Sequence, residues 1–149
     1  MSADGPVVVG IDGSADARRA MCLAGEYALA LGNELVIVHA VGLTEVVGGQ
    51  RVIAEGHDAE IAEQFAGWCE GVRSCGIDEW TPALHDGAPV DTILRVADEV
   101  DASLVVVGRQ GSGKRPELLL GSTAHQIAEN SPRPVMVVPP IGRVTHPDG

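Results

Sequence analysis

The chain has 149 residues, 45% of them hydrophobic but only 3% aromatic, and a formal net charge of −11. That length makes one domain with a sizeable core. The acidic balance excludes nucleic acid as the main partner and speaks against docking on anionic lipid, because both need a basic surface.

The apolar mass is Val, Ala, Leu and Ile, which suits buried parallel strands covered by helices. The N-terminal MSADGP has neither a basic n-region nor an h-region, and no apolar run approaches the ~20 residues needed to span a membrane. Cys22, Cys69 and Cys75 are odd in number, lack a CxxC and fall in helical patterns. They read as plain thiols, so no disulfide framework is expected and the compartment is expected to be reducing, hence cytoplasmic.

Taken in order, Val7 to Ile11 is a short buried strand after Pro6. Asp12-Gly13-Ser14 is turn chemistry, and Ser14 can cap the helix that follows. Ala17, Ala20, Met21, Ala24, Ala28 and Leu31 recur at helical spacing, and Gly32 is a natural C′ residue. Leu35 to Ala40 is the second strand. Gly42 to about Gly56 reads as a loop containing Gly48-Gly49. Ile61, Phe65, Trp68, Val72 and Cys75 form one helical face that Gly76 stops. A weaker third strand spans about Glu79 to Leu84, and His85-Asp86-Gly87-Ala88 turns the chain. Pro89 fits a first helical position, before the apolar face of Val90, Ile93, Leu94 and Ala97. Asp98, Glu99 and Asp101 read as a solvated helix end. Leu104 to Val107 is the fourth strand. Thr123 and Gln126 fit a capping box for a short helix. Pro132 and Pro134 end it, and Val135 to Val138 is the fifth strand. The domain is expected to span 1–140, and residues 141–149 to form a loose tail.

Alternating strands and helices imply an α/β, Rossmann-like, three-layer sandwich with a five-stranded parallel sheet. With strand order 3-2-1-4-5, a ligand belongs beyond the carboxyl ends of strands one and four, where the order reverses. The Asp12-Gly13-Ser14 loop and the Gly108–Ser122 loop then face each other. The second loop carries Gly108, Gly111 and Gly113 with Arg109, Lys114 and Arg115, in a chain otherwise strongly acidic. Glycines admit close backbone approach, and the helix start beyond offers unpaired N–H groups and a positive dipole end. This combination suits a phosphate group.

Gly108 to Lys114 also has the GxxxxGK spacing of a P-loop. The next residue is Arg115 rather than the Ser or Thr that holds magnesium, and Pro116 stands where a helix should already run. The better parse is Gly108, Gly111, Gly121 and Ser122. This G-x2-G-x9-G-S spacing resembles the nucleotide-binding signature of the universal stress protein family. VVVGIDGS at 7 to 14, IVHA at 37 to 40, GAPVDTIL at 87 to 94 and the closing PVMVV that ends at 138 resemble it too.

The resemblance implies adenine nucleotide in the crevice. Asp12 would contact the adenosine part, beside Gly10 and Ile11. The backbone of Ala40 would meet the adenine ring. Val107, Gly108 and Gly111 would line ribose and phosphates, and Gly121, Ser122 and Thr123 would hold phosphates. Arg109 and Lys114 lean toward ATP, with magnesium held mainly by phosphate oxygens and water. AMP and cyclic AMP are the alternatives. The resemblance also implies a homodimer through the last strand, Val135 to Val138, an apolar edge that needs covering. The expected role is a nucleotide-dependent module of a stress response. A slow ATPase or self-phosphorylating protein is the second reading, weakened by the absence of an evident base, metal-binding carboxylate pair or arginine finger. His39, His57, His85, His125 and His146 show no metal-ligand spacing, and His39 reads as a satisfied structural histidine. Trp68 reads as core.

Overall fold

The computed structural model describes residues 4–42, 44–47, 50–53, 58–110 and 120–140. Five parallel strands form the central sheet: β1 (Val7–Gly10), β2 (Leu35–Val41), β5 (Thr81–Asp86), β6 (Leu104–Gly108) and β7 (Val135–Val138). Their spatial order is β5-β2-β1-β6-β7. This is the 3-2-1-4-5 arrangement expected from the sequence. The third strand starts two residues later than expected and takes in His85 and Asp86.

The period-2 alternation of side chains sorts the valines of β1 between two cores. Val7 and Val9 face the layer of α1 (Ala15–Leu31) and α2 (Asp58–Glu70), with Met21, Ala24, Phe65 and Cys69. Val8 faces the layer of α3 (Pro89–Glu99) and α4 (Ser122–Asn130), with Ile93, Val96 and Ile127. Val7, Val8 and Val9 are all fully buried. Each such burial stabilises by about 1.5–3 kcal/mol.

The helix ends follow the sequence signals in part. Ser14 Oγ accepts from the Ala17 N–H at 3.1 Å and caps α1. Gly32 closes that helix in the left-handed region at φ 72°. Pro89 opens α3. The Thr123–Gln126 capping box is not formed. Gly121 is the N-cap of α4 and no side chain caps it; Gln126 Nε2 donates instead to Ser122 Oγ at 2.9 Å. A box needs its hydroxyl one residue before the helix, and here the helix already includes Thr123.

Two further expectations are corrected. The loop expected between Gly42 and Gly56 contains two antiparallel strands, β3 (Thr44–Val47) and β4 (Gln50–Ile53), with Val47 paired to Gln50. Gly48-Gly49 stands between them in the sequence, and two glycines between short strands are a hairpin signal. Cys22 and Cys75 are joined in a disulfide, with their Cα atoms 5.7 Å apart. They are 53 residues apart in sequence, and packing of α1 against the 3₁₀ turn Gly71–Cys75 brings them together. The acidic end of α3 is solvent-exposed as expected, and from there Asp98 and Asp101 pair with Arg133 at 3.4 Å and 3.2 Å. Among the described residues, no helix is long and apolar enough to cross a membrane.

Candidate functional site

The carboxyl ends of β1 and β6 diverge at the point where the sheet order reverses, and a cavity of about 360 Å³ opens there. Its size falls in the usual range for small-molecule pockets. Asp12 and Ser14 line it from the loop after β1, and Val38, His39 and Ala40 from the end of β2. Val107, Gly108, Arg109 and Gln110 come from the end of β6, and Gly121 to Ala124 from the start of α4. Ten of the eleven residues singled out from the sequence therefore surround one cavity: Gly10, Ile11, Asp12, Ala40, Val107, Gly108, Arg109, Gly121, Ser122 and Thr123. Gly111 and Lys114 lie outside the described residues.

The loop after β1 is held by its own chemistry. The Ser14 N–H donates to Asp12 Oδ1 at 2.9 Å, an Asx turn that presents the carboxylate at the cavity wall. Gly13 sits at φ 83° with the Trp68 ring seated on its Cα; a Cβ there would overlap the ring. His39 packs edge-on to Trp68 with ring centroids 5.0 Å apart, and its Nδ1 donates to Ile11 O at 2.7 Å. His39 is thus a satisfied histidine that also walls the cavity. Trp68 is partly buried against the core, as read from its helical spacing, but it also shapes the Asp12 loop.

The opposite wall is tied together by the backbone of Arg109. Its N–H donates to Val138 O at 2.8 Å, and its carbonyl accepts from the Gly121 N–H at 2.7 Å. The Gly121 amide is therefore spent, and the donors left to meet a ligand belong to the first turn of α4, at Ser122, Thr123 and Ala124. Among the described residues no side chain caps α4, and its positive dipole end opens into the cavity. Arg109 Nε is buried with no hydrogen-bond partner among the described residues. Arg109 is the one cation among the described lining residues.

Sequence reasoning missed Asp16, Pro89 and Ile93. Asp16 is buried in the first turn of α1 and accepts from the Gln110 N–H at 3.3 Å, bridging the two loops. A Cβ on Gly108 would lie 3.0–3.1 Å from Asp16, so the glycine is needed for this close approach. Pro89 and Ile93 of α3 line the apolar side of the cavity. Their helical periodicity was visible in the sequence, but their direction toward the cavity was not. A second cavity of about 140 Å³ lies behind the Asp12 loop, lined by Gly13, Arg18, Met21, Trp68, Gly71 and Ser74 among others. Among the described residues no group of three or more His, Cys, Asp or Glu could hold a metal ion.

The model of the universal stress protein family matches residues 5–139. A universal stress protein of Thermus aquaticus is 29% identical over 132 residues, covering 89% of this chain and 96% of that one. A universal stress protein of Mycolicibacterium smegmatis is 34% identical over 139 residues; the match takes in 91% of this chain but only 46% of that longer protein. Among solved structures, a universal stress protein in complex with cAMP superposes with a TM-score of 0.72 at 32% identity, covering 92% of this chain and 98% of that one. One from Archaeoglobus fulgidus in complex with dAMP gives 0.65 at 28% identity, covering 90% and 97%. With the sheet order, the crevice at its switch point and a family match over nearly its whole length, the chain belongs to the universal stress protein family.

Proposed function

We propose that this chain binds an adenine nucleotide in the 360 Å³ cavity and serves as a nucleotide-dependent module of a stress response. The observation that carries this is the opposition, across one cavity, of the Asp12 carboxylate and the uncapped start of α4. A carboxylate accepts from ribose hydroxyls, and a helix start meets phosphate. Val107, Pro89 and Ile93 supply an apolar wall for the base, and the backbone of Ala40 supplies polar groups at its edge. The relatives solved with cAMP and dAMP support the ligand class.

ATP with magnesium is the first reading, with Arg109 and, five residues on in the sequence, Lys114 as cations for a polyphosphate. Among the described residues the donor set at the end of β6 and the start of α4 is N–H groups, hydroxyls and one guanidinium, so magnesium would be held by phosphate oxygens and water. Cyclic AMP is the second reading. A single described cation at the wall matches one phosphodiester charge, and a 32%-identical relative was solved with that ligand. The reading does not require catalysis; slow hydrolysis would be incidental to binding. The half-exposed strand β7 is the edge through which a homodimer would form.

Calorimetric titration of nucleotide-stripped protein with MgATP, AMP and cyclic AMP tests this. Binding of at least one is expected, weakened about 10-fold or more by Asp12→Ala, the loss of one or two good hydrogen bonds to a charged group. No heat with any of the three refutes the reading.

A further inference from the structure

The disulfide sits at a place where it can govern the cavity. Cys22 lies on α1, and Cys75 ends the 3₁₀ turn that continues directly from α2. Helix α2 is peripheral: of its residues from Ala59 onward, only Phe65 and Cys69 are fully buried, and Trp68 is half-buried. Yet Trp68 is the residue that seats on Gly13 and packs against His39, and both of those belong to the elements that wall the nucleotide cavity. The 140 Å³ cavity opens along part of the seam between α1 and the end of α2, beside Met21, Gly71 and Ser74, while Val72 and Ile77 pack closely on Gly25 of α1. Cys22 and Cys75 follow Met21 and Ser74 in the sequence, so the covalent link stands next to that gap. The sulfur–sulfur bond therefore adds to this apolar packing in holding Trp68 on the Asp12 loop.

Both bonded cysteines are half-exposed, so small thiols can reach them. The third, Cys69, is 1% exposed, and burial together with the nearby Glu70 charge pushes its thiol up to about 11. It stays protonated and inert, which leaves Cys22 and Cys75 as the exchanging pair.

We propose that Cys22 and Cys75 form a reversible dithiol–disulfide pair whose oxidation state sets the affinity of the cavity for its ligand; this regulation rests on the cavity being the nucleotide site. The oxidant is a small-molecule disulfide. One cysteine thiolate attacks it, expelling one small thiol and forming a mixed disulfide. The second cysteine attacks that bond through its own thiolate and expels the other small thiol. Two protein thiols are oxidised to one disulfide, one small disulfide is reduced to two thiols, and the two protons pass to the leaving thiolates. In the bonded state α2 is stapled to α1, Trp68 is held on Gly13, and Asp12 is pre-organised. In the dithiol state α2 opens more often, and a ligand must order the loop as it binds.

The test uses the full chain equilibrated with reduced or oxidised glutathione. Alkylation after denaturation, read by mass spectrometry, should find three thiols in the reduced chain and one, Cys69, in the oxidised chain. Amide hydrogen exchange across α2 should be faster in the reduced form. Titration with MgATP and with cyclic AMP should show weaker binding after reduction, by about 5-fold, the lower end of coupling between distinct sites. Cys22→Ser and Cys75→Ser should each bind as the reduced protein does, and oxidised glutathione should at most form a mixed disulfide on the remaining cysteine without restoring the affinity. Three alkylated thiols under oxidised glutathione overturn the proposal, as does identical exchange and affinity in the two states. If neither state binds either nucleotide, the nucleotide reading fails, and the pair stands or falls on the exchange rates of α2.

Discussion

Gly13→Ala isolates the contact between α2 and the Asp12 loop. Gly13 has φ 83°, a conformation that costs an L-residue about 1–2 kcal/mol. The new methyl would also overlap the Trp68 ring. Forcing an aromatic ring out of a packed seat costs about 1–3 kcal/mol. The sum is a destabilisation of about 2–5 kcal/mol. For a chain of this size that lowers Tm by roughly 2–4 °C per kcal/mol. Urea unfolding followed by circular dichroism measures it. The two contributions separate in a Trp68→Ala background, where only the backbone cost of about 1–2 kcal/mol should remain. The coupling between the two substitutions should then be about 1–3 kcal/mol, well above the ~0.5 kcal/mol seen for independent sites. A Gly13→Ala protein within ~0.5 kcal/mol of wild type, or additive effects of the two changes, would falsify the seating of Trp68 on Gly13.

Gly121 adopts φ −68° and ψ 163°, an ordinary extended backbone, so Gly121→Val should fold normally while its side chain fills the phosphate end of the cavity. Circular dichroism should be unchanged and nucleotide titration flat; retained affinity would remove Gly121 from the site. Ile93→Ala should cost about 2 kcal/mol, the low end for a buried isoleucine, because its side chain already borders open space. A loss of 4 kcal/mol or more in urea unfolding would mean that the cavity is closed in solution. Cys69 favours the neutral thiol in the fold, so its contribution is full below the ordinary value of 9.0 and fades as pH rises through about 11. Native alkylation should accordingly be negligible at pH 8 and rise steeply above about pH 10; rapid labelling at pH 8 would show the site to be open. Arg133→Met should cost no more than about 1 kcal/mol, because its partners Asp98 and Asp101 are 80% and 54% exposed and their attraction is screened. Thermal unfolding in low and high salt checks this.

Four of the five strands were legible because buried parallel strands write themselves as short unbroken runs, VVVG, LVIVHA, LVVVG and VMVV, punctuated by glycine and proline, and the order 3-2-1-4-5 is one that such a strand–helix alternation allows. The two facing loops followed from that order alone. What stayed hidden depends on distance in space. Cys22 and Cys75 are separated by 53 residues, and nothing local distinguishes a helical cysteine with a partner from one without. Asp16 looked like an unremarked first-turn acid until β6 brought Gln110 to it. The Gly-Gly hairpin was a local signal, but its flanks TEVV and QRVI mix charge with valine and do not alternate cleanly. Thr123 and Gln126 had capping-box spacing, and the helix began two residues earlier than that box requires.

The hydrogen bond from the Gly121 N–H to the Arg109 carbonyl has an evolutionary corollary. It clasps Arg109 to Gly121 and makes a fixed gate between the end of β6 and the start of α4. A second clasp, from the Arg109 N–H to Val138 O, anchors the gate to the last strand. Because both clasps are backbone bonds, replacing side chains at the gate leaves it where it is, and ligand preference can drift residue by residue without the sheet having to be rebuilt.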